Sequence, residues 1–306
     1  MNNSPFPDRR LANTVTWHLK PPNDINMRLP ENITKCVAYL GNEITDSTKQ
    51  KKEYRGTGFF VSKESKKIPG MNFLFLVTAK HVADKLEYKN FYVRVNTHKG
   101  TSADIKCKVD NEWQIHPTDK AADVAVLPLG INSEHIDFLH IPSTMFLDEK
   151  TRTEKGIGAG DEVFIIGLFM HHIGNFKNLP IVRVGSIAMT PDERIFVKDF
   201  GEMESYLIEA HSIGGLSGSP VFTTDRGFPE SSLFLMGLMH GHWQIDSETI
   251  IDEIEKDAGI KAKSNTGIAI VTPASKILDI LNGAEIAKLC EAQEAEIMEK
   301  NSPIPD

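Results

Sequence analysis

The stretch Glu209-Ala210-His211-Ser212-Ile213-Gly214-Gly215-Leu216-Ser217-Gly218-Ser219-Pro220-Val221-Phe222 sets a serine among close glycines, with a proline after it and a β-prone run on either side. Such a segment reads as a tight loop between two strands, one that exposes a hydroxyl and crowds backbone N–H groups around it. An acyl-transfer nucleophile needs both features.

Two upstream segments give this loop its context. Leu76-Val77-Thr78-Ala79-Lys80-His81-Val82 ends a β-prone run on a histidine, and Ala122-Asp123-Val124-Ala125-Val126-Leu127 opens a nearly continuous apolar strand on an aspartate. Taken alone, Asp123 has two readings, a turn residue or a deliberately placed acid. Together the three segments resemble those of trypsin-like (chymotrypsin-fold) serine proteases, nearest to the bacterial, disulfide-free, HtrA-like branch. The order His, Asp, Ser and the spacing are similar to that family's, whereas Leu216 and Ser219 depart from its usual Gly-Asx-Ser-Gly-Gly-Pro loop.

The resemblance implies an all-β fold, two six-stranded antiparallel β-barrels followed by C-terminal helices. It covers residues 32–281, barrel one about 32–150 and barrel two about 156–272. Residues 1–31, broken by Pro21-Pro22 and Pro30, read as an N-terminal arm, and 282–306 as an acidic helical tail.

Composition agrees with an ordinary globular chain: 306 residues, net charge −8 and 40% hydrophobic content. The acidity and the scattering of Lys and Arg argue against nucleic acid as a partner, since nothing concentrates enough cations to grip phosphate. No run nears the roughly 18 apolar residues needed to span a bilayer, and the N-terminus lacks a signal-peptide core, so the chain reads as cytoplasmic. Cys36, Cys107 and Cys290 are odd in number and widely spaced, which favours neither a disulfide framework nor a zinc site. His171 and His172 are adjacent and diverge on a strand, so a metal is not expected, and no cofactor is implied.

Strand signals run through both halves. Gly56 to Val61, Asn72 to Thr78 and Phe91 to Val95 precede Asp123. Glu162 to Ile166, Leu179 to Ala188, Tyr206 to Ala210, Phe234 to Trp243 and Thr266 to Val271 follow. This places His81 at a strand end. Residues 130 to about 158 read as an irregular link, and Gly156, Gly158 and Gly160 precede a strand, which excludes a dinucleotide loop. Thr272-Pro273 reads as a helix start with Ile277, Leu278 and Leu281 on one face. Ile286, Leu289, Cys290 and Ile297 form a stripe on a second, Glu-rich helix.

The resemblance assigns roles residue by residue. Ser217 would be the nucleophile, His81 its base and Asp123 the group that orients the imidazole, as in the general triad scheme. The N–H groups of Gly215 and Ser217 would form the oxyanion hole, where one donor is typically worth about 3 kcal/mol. His211, Met239, His240 and Gly241 would line the substrate pocket, His240 having the core-residue alternative. The activity implied is serine endopeptidase action on a polypeptide substrate. The rivals are a catalytically latent, peptide-binding form of the fold and a small-ester hydrolase. Leucine at 216 cannot pair with a newly cut N-terminus, so no activation by that route is expected. A regulatory protein partner is one means of controlling such an activity in the cytosol.

Overall fold

Short Val/Ile/Phe-rich runs punctuated by Gly and Pro fold here into sheets, with α-helices, among the described residues, confined to links and the C-terminal end. The computed structural model describes residues 29–46, 49–86, 91–107, 113–131, 133–210, 215–225, 232–245 and 264–300. The N-terminal arm up to residue 28, the 246–263 insertion, His211 and the last six residues lie outside the described residues.

The N-terminal half contains β1 (Val37–Asp46), β2 (Lys49–Glu64), β3 (Asn72–Thr78), β4 (Phe91–Asn96), β5 (Ser102–Cys107), β6 (Gln114–Ile115), β7 (Ala125–Pro128) and β8 (Ile141–Pro142). They form an eight-stranded sheet in the order β5-β4-β1-β2-β3-β7-β6, with β8 added parallel to β2. The C-terminal half contains β9 (Glu162–Gly167), β10 (Ile181–Met189), the hairpin β11 (Arg194–Val197) and β12 (Gly201–Glu204), then β13 (Tyr206–Glu209), β14 (Pro220–Thr224), β15 (Leu233–Ile245) and β16 (Ser264–Pro273). Six of these close an antiparallel barrel, β10-β13-β16-β15-β14-β9, and the hairpin stands apart as its own two-stranded sheet. Closure removes the exposed edges that an open sheet would present.

Pattern and packing explain each other on β9. Val163 and Ile165 point into the barrel beside Val221, Met236 and Met239. Phe164 and Ile166 point outward into the larger core shared with the N-terminal half, among residues such as Phe59, Leu76 and Val126. A strand buried on both faces loses its alternation, which is why Val163 to Ile166 reads as one apolar run.

Three helical features refine the expectations. His81 lies in the first turn of α1 (Lys80–Leu86), just beyond β3, and not on the strand end itself. The link expected to be irregular holds α2 (Glu149–Lys155), capped by Asp148 accepting from the Thr151 N–H at 2.7 Å and closed by Gly156 at φ 65°. α3 (Ala274–Leu281) starts after Pro273, which occupies the cap position in place of Thr272. α4 (Ala284–Lys300) docks on the domain: Ile286, Cys290 and Ile297 are buried in the main core, and buried Glu294 accepts from Ser65 Oγ at 2.6 Å. The three cysteines are free and buried. Among the described residues no helix is long and apolar enough to cross a membrane.

Candidate active site

The serine loop is built against the N-terminal half by hydrogen bonds from Thr57 on β2. Its hydroxyl donates to the Gly215 carbonyl at 2.8 Å and accepts from the Leu168 N–H at 2.9 Å, and its own N–H donates to the Ser217 carbonyl at 3.1 Å. Thr78 Oγ1 donates to the Thr57 carbonyl at 2.7 Å, tying the same node to the strand that delivers His81. Gly218, at φ 81°, leaves no room for a side chain: a Cβ there would stand 2.2 Å from the Thr57 oxygen and 2.3 Å from Thr78 Oγ1. Gly215 adopts φ 99° and lies against Leu168 and Met170. Both glycines are therefore required by backbone conformation and by close approach.

Asp123 sits just before β7 with its side chain fully buried. One carboxylate oxygen, Oδ1, accepts the His81 backbone N–H at 2.9 Å. The other, Oδ2, faces His81 Nδ1 at 2.7 Å and His240 Nδ1 at 2.5 Å. Burial by itself would push this carboxyl up, but the hydrogen bonds from His240 and His81 and their positive charge when protonated outweigh it. They hold the group well below the usual carboxylate range, so Asp123 is ionised at neutral pH.

Ser217 Oγ donates to the main-chain carbonyl of His240 at 3.2 Å, and it makes no hydrogen bond to His81 among the described residues. The N–H groups of Gly215 and Ser217 are likewise untaken among the described residues. Two free donors in a sharp turn beside a half-buried hydroxyl are the geometry that a developing oxyanion needs.

The two departures in the loop are absorbed by packing. Leu216 is buried in the barrel core. The buried Ser219 hydroxyl occupies space next to Gly167, where any Cβ would lie 1.9 Å from it.

The residues expected to line a pocket divide. His211 lies outside the described residues. Met239 is not available to a substrate: its side chain is fully buried, its N–H donates to the Ser219 carbonyl at 2.9 Å, and its carbonyl accepts the Gly218 N–H at 2.8 Å. Gly241 is half-buried with open space where a Cβ would point. The ring of His240, 8% exposed, turns onto Asp123. The cause is a β-bulge: Met239 pairs with Val271 and Gly241 with Ile270, so His240 is an extra residue with no partner on β16. Bulges re-aim side chains in this way.

Sequence reasoning missed Thr57 and Phe200. Phe200 follows Asp199, the one non-glycine among the described residues with positive φ (70°), at the tip of the β11–β12 hairpin. Its ring meets His240 edge-on at 4.4 Å and His81 at 6.2 Å. The hairpin is held by Arg194, whose guanidinium grips Asp119 through two bonds of 3.1 and 3.0 Å, while Lys276 joins Asp119 to Glu204. The Gly56-Thr57-Gly58-Phe59 piece reads as a strand resembling the one that packs beneath the family's histidine, but nothing local marks the Thr57 hydroxyl or Phe200, because each acts through a partner far away in the chain.

His81, Asp123 and His240 also form a group whose ligand-capable atoms lie within 4.8 Å of one another. Both imidazoles face the same carboxylate oxygen at hydrogen-bond distance, the arrangement by which a carboxylate orients an imidazole for acid–base chemistry.

No family model and no curated protein matches this sequence. Solved structures do. The MamO protease domain from Magnetospirillum magneticum is 16% identical with a TM-score of 0.49, covering 83% of this chain and 99% of its own. The HtrA-type protease AlgW with decapeptide is 16% identical with a TM-score of 0.47, covering 81% and 63%, and Deg5 is 17% identical with a TM-score of 0.41, covering 68% and 80%. A closed six-stranded antiparallel barrel packs on a second β half: the Ser217 carbonyl accepts from the Thr57 N–H at 3.1 Å, and the His240 ring meets Asp123 at 2.5 Å. The architecture agrees with the double-β, trypsin-like fold that the sequence resemblance implies. Within it, Thr57 helps tie the two halves together, and His240 contacts both Ser217 and Asp123.

Proposed function

We propose that this protein is a serine endopeptidase whose Ser217, His81 and Asp123 hydrolyse peptide bonds through an acyl-enzyme. The observation that carries the reading is the His81 imidazole held by Nδ1 on a buried, ionised Asp123, beside a half-buried Ser217 on a loop where the N–H groups of Gly215 and Ser217 are untaken among the described residues.

With Nδ1–H committed to the carboxylate, His81 Nε2 carries the lone pair. It takes the Ser217 proton as Oγ attacks the substrate carbonyl, and the imidazolium so formed is stabilised by Asp123. The oxyanion would be received by the Gly215 and Ser217 N–H groups. Collapse expels the amine, which takes the proton from Nε2, and water then repeats the sequence to release the acid. The Ser217 hydroxyl must first leave the His240 carbonyl, a rotation about one side-chain bond; catalytic hydrogen bonds often tighten only when substrate is present.

That same bond supports the second reading, a latent peptide-binding form in which Ser217 stays on the His240 carbonyl. A fluorophosphonate probe separates the two, because it requires an activated serine. Labelling of the wild type that is lost in Ser217→Ala and His81→Ala supports the hydrolase; a folded wild type that is never labelled supports the latent form. Peptide and small-ester hydrolysis by the unlabelled wild type then distinguish endopeptidase from esterase.

A further inference from the structure

We propose that the outer face of β10, with the loop before it, is a docking surface for residues 1–28 of this same chain, the segment ahead of Leu29.

Strand parity sorts β10. Ile181 and Ile187 point toward the barrel core, so Val182, Val184 and Ser186 point outward. Val182 and Val184 pair with Ile166 and Phe164 on β9, whose side chains the N-terminal half covers, yet they are themselves 42% and 57% exposed. Through Leu179 the apolar run continues to Phe176, 80% exposed. Exposed apolar runs of this kind mark interaction sites. The backbone that presents Phe176 is bolted down. Its carbonyl accepts from the Ser102 N–H at 2.6 Å, and the Gly174 carbonyl accepts from the buried Arg94 guanidinium at 2.9 Å. Asn178 donates its N–H to Asn96 Oδ1 at 2.7 Å and accepts from Asn96 Nδ2 at 3.2 Å. An aromatic side chain held on ordered backbone makes a good anchor, since little entropy remains to be lost when it is covered.

The far end of the stripe carries charge. Ser186 pairs with Glu162 on one side and with Glu209 on the other, so two exposed carboxylates flank it on the outer face. Neither is in an ion pair among the described residues. An occupant that suits this surface brings apolar groups followed closely by cations.

Residues 1–28 have that composition. Arg9 and Arg10 stand between Phe6 and Leu11, and Trp17 and Leu19 precede Lys20. Arg9, Arg10, Lys20 and Arg28 outnumber Asp8 and Asp24, in a chain whose net charge is −8. The segment also starts from the right place. Leu29 packs on the main core, and Lys35 shortly after it binds Asp137 at 2.8 Å. The Asp137 N–H donates to the carbonyl of Asn96, the residue that holds Asn178. Extended chain covers about 3.3 Å per residue, so the stretch from Arg10 to Leu29 spans up to about 60 Å. The run from Leu179 to Ser186 needs only about 23 Å.

The test puts the photo-crosslinker p-benzoylphenylalanine in place of Val184 in the full chain. Ordinary and isotope-labelled protein are mixed in equal amounts, irradiated, digested and read by mass spectrometry. Cross-links from position 184 to residues 1–28, both peptides carrying the same isotope label, are expected. Products that pair the two isotopes place a second copy on the surface and overturn the proposal. Products that lack residues 1–28, or no product at all, overturn it too. The charged end is read by Glu162→Lys with Glu209→Lys, exposed positions where folding is not at risk. That pair should lower the yield of the same cross-link at least about threefold, and adding Arg9→Glu with Arg10→Glu should restore it. A yield indifferent to the lysines, or not recovered by the glutamates, refutes the complementarity on which the choice of occupant stands. None of these readouts uses the chemistry of Ser217, so their failure leaves the hydrolase reading untouched.

Discussion

Replacing Thr57 by valine tests whether the serine loop is held from the other half of the molecule. Valine has the shape of threonine, so no cavity opens, and only the hydroxyl is lost. Two buried groups lose their partner, the Gly215 carbonyl and the Leu168 N–H, at 2.8 and 2.9 Å from Thr57 Oγ1. An unsatisfied buried polar group costs about 1–3 kcal/mol, so the pair sets a ceiling of about 6 kcal/mol and a floor of about 2. Relaxation would come mainly from the loop, since β2 and β9 are each held by strand pairing on either side. Movement of Gly215 takes with it a donor proposed for the oxyanion, where such a loss typically amounts to about 3 kcal/mol of transition-state stabilisation. Urea unfolding should show destabilisation within that range, and fluorophosphonate labelling should fall at least about tenfold for the partial loss of that donor. Thr57→Ser is the control: it keeps the hydroxyl and sacrifices one methyl group, about 1 kcal/mol. A valine variant indistinguishable from the serine variant in both assays would refute the reasoning, for the bridge would then carry no load.

Further expectations are checked more simply. Leu216→Asp puts a carboxylate into the barrel core and should abolish cooperative folding, whereas Leu216→Met should shift the melting midpoint by only a few degrees; thermal unfolding followed by circular dichroism reads both. Burial pushes the Cys107 thiol up to about 12 and the Cys290 thiol up to about 11, and raises Cys36 as well. At pH 8 the native protein should thus react slowly with a thiol reagent such as dithionitrobenzoate, and all three thiols should appear on unfolding. The Arg194 guanidinium, by hydrogen bond and charge, holds the Asp119 carboxyl below its usual range. A depressed carboxylate contributes stability above its unfolded value and loses it as pH falls through the folded one. The stability gap between wild type and Arg194→Ala should therefore be present at pH 7 and close in acid, as chemical denaturation at pH 7 and below pH 3 would show. Phe200→Ala should leave global stability little changed and alter the labelling rate, because the ring packs on His240 and His81.

Much of this was legible in the chain itself. The strand at Asn72–Thr78 coincides with its apolar run, and the segments around His81, Asp123 and Ser217 announce themselves through local chemistry: a β-prone run, an acid at a strand mouth, a glycine-rich turn. The capped helix at Glu149–Lys155 was legible too, through Asp148, Thr151 and Gly156, although it passed as irregular because its faces carry no apolar stripe. The absence of disulfides among Cys36, Cys107 and Cys290 likewise follows from their number and spacing.

Other features were settled only when the strands met. Met239 and His240 are neighbours on an apolar run that reads as a pocket wall, yet one side chain is sealed in the barrel and the other turned onto Asp123, because a single unpaired residue on β15 shifts the register against β16. Register belongs to a pair of strands and cannot be read from either one. Thr57 and Phe200 are of the same kind: a hydroxyl that bridges to Gly215, 158 positions away, and a ring that reaches His240 from a hairpin tip. Local patterns fix which segments become strands and turns, since those depend on neighbours along the chain. The contacts that orient Asp123, the two imidazoles and Ser217 join residues distant in sequence, and only the packing of the two β halves brings them together.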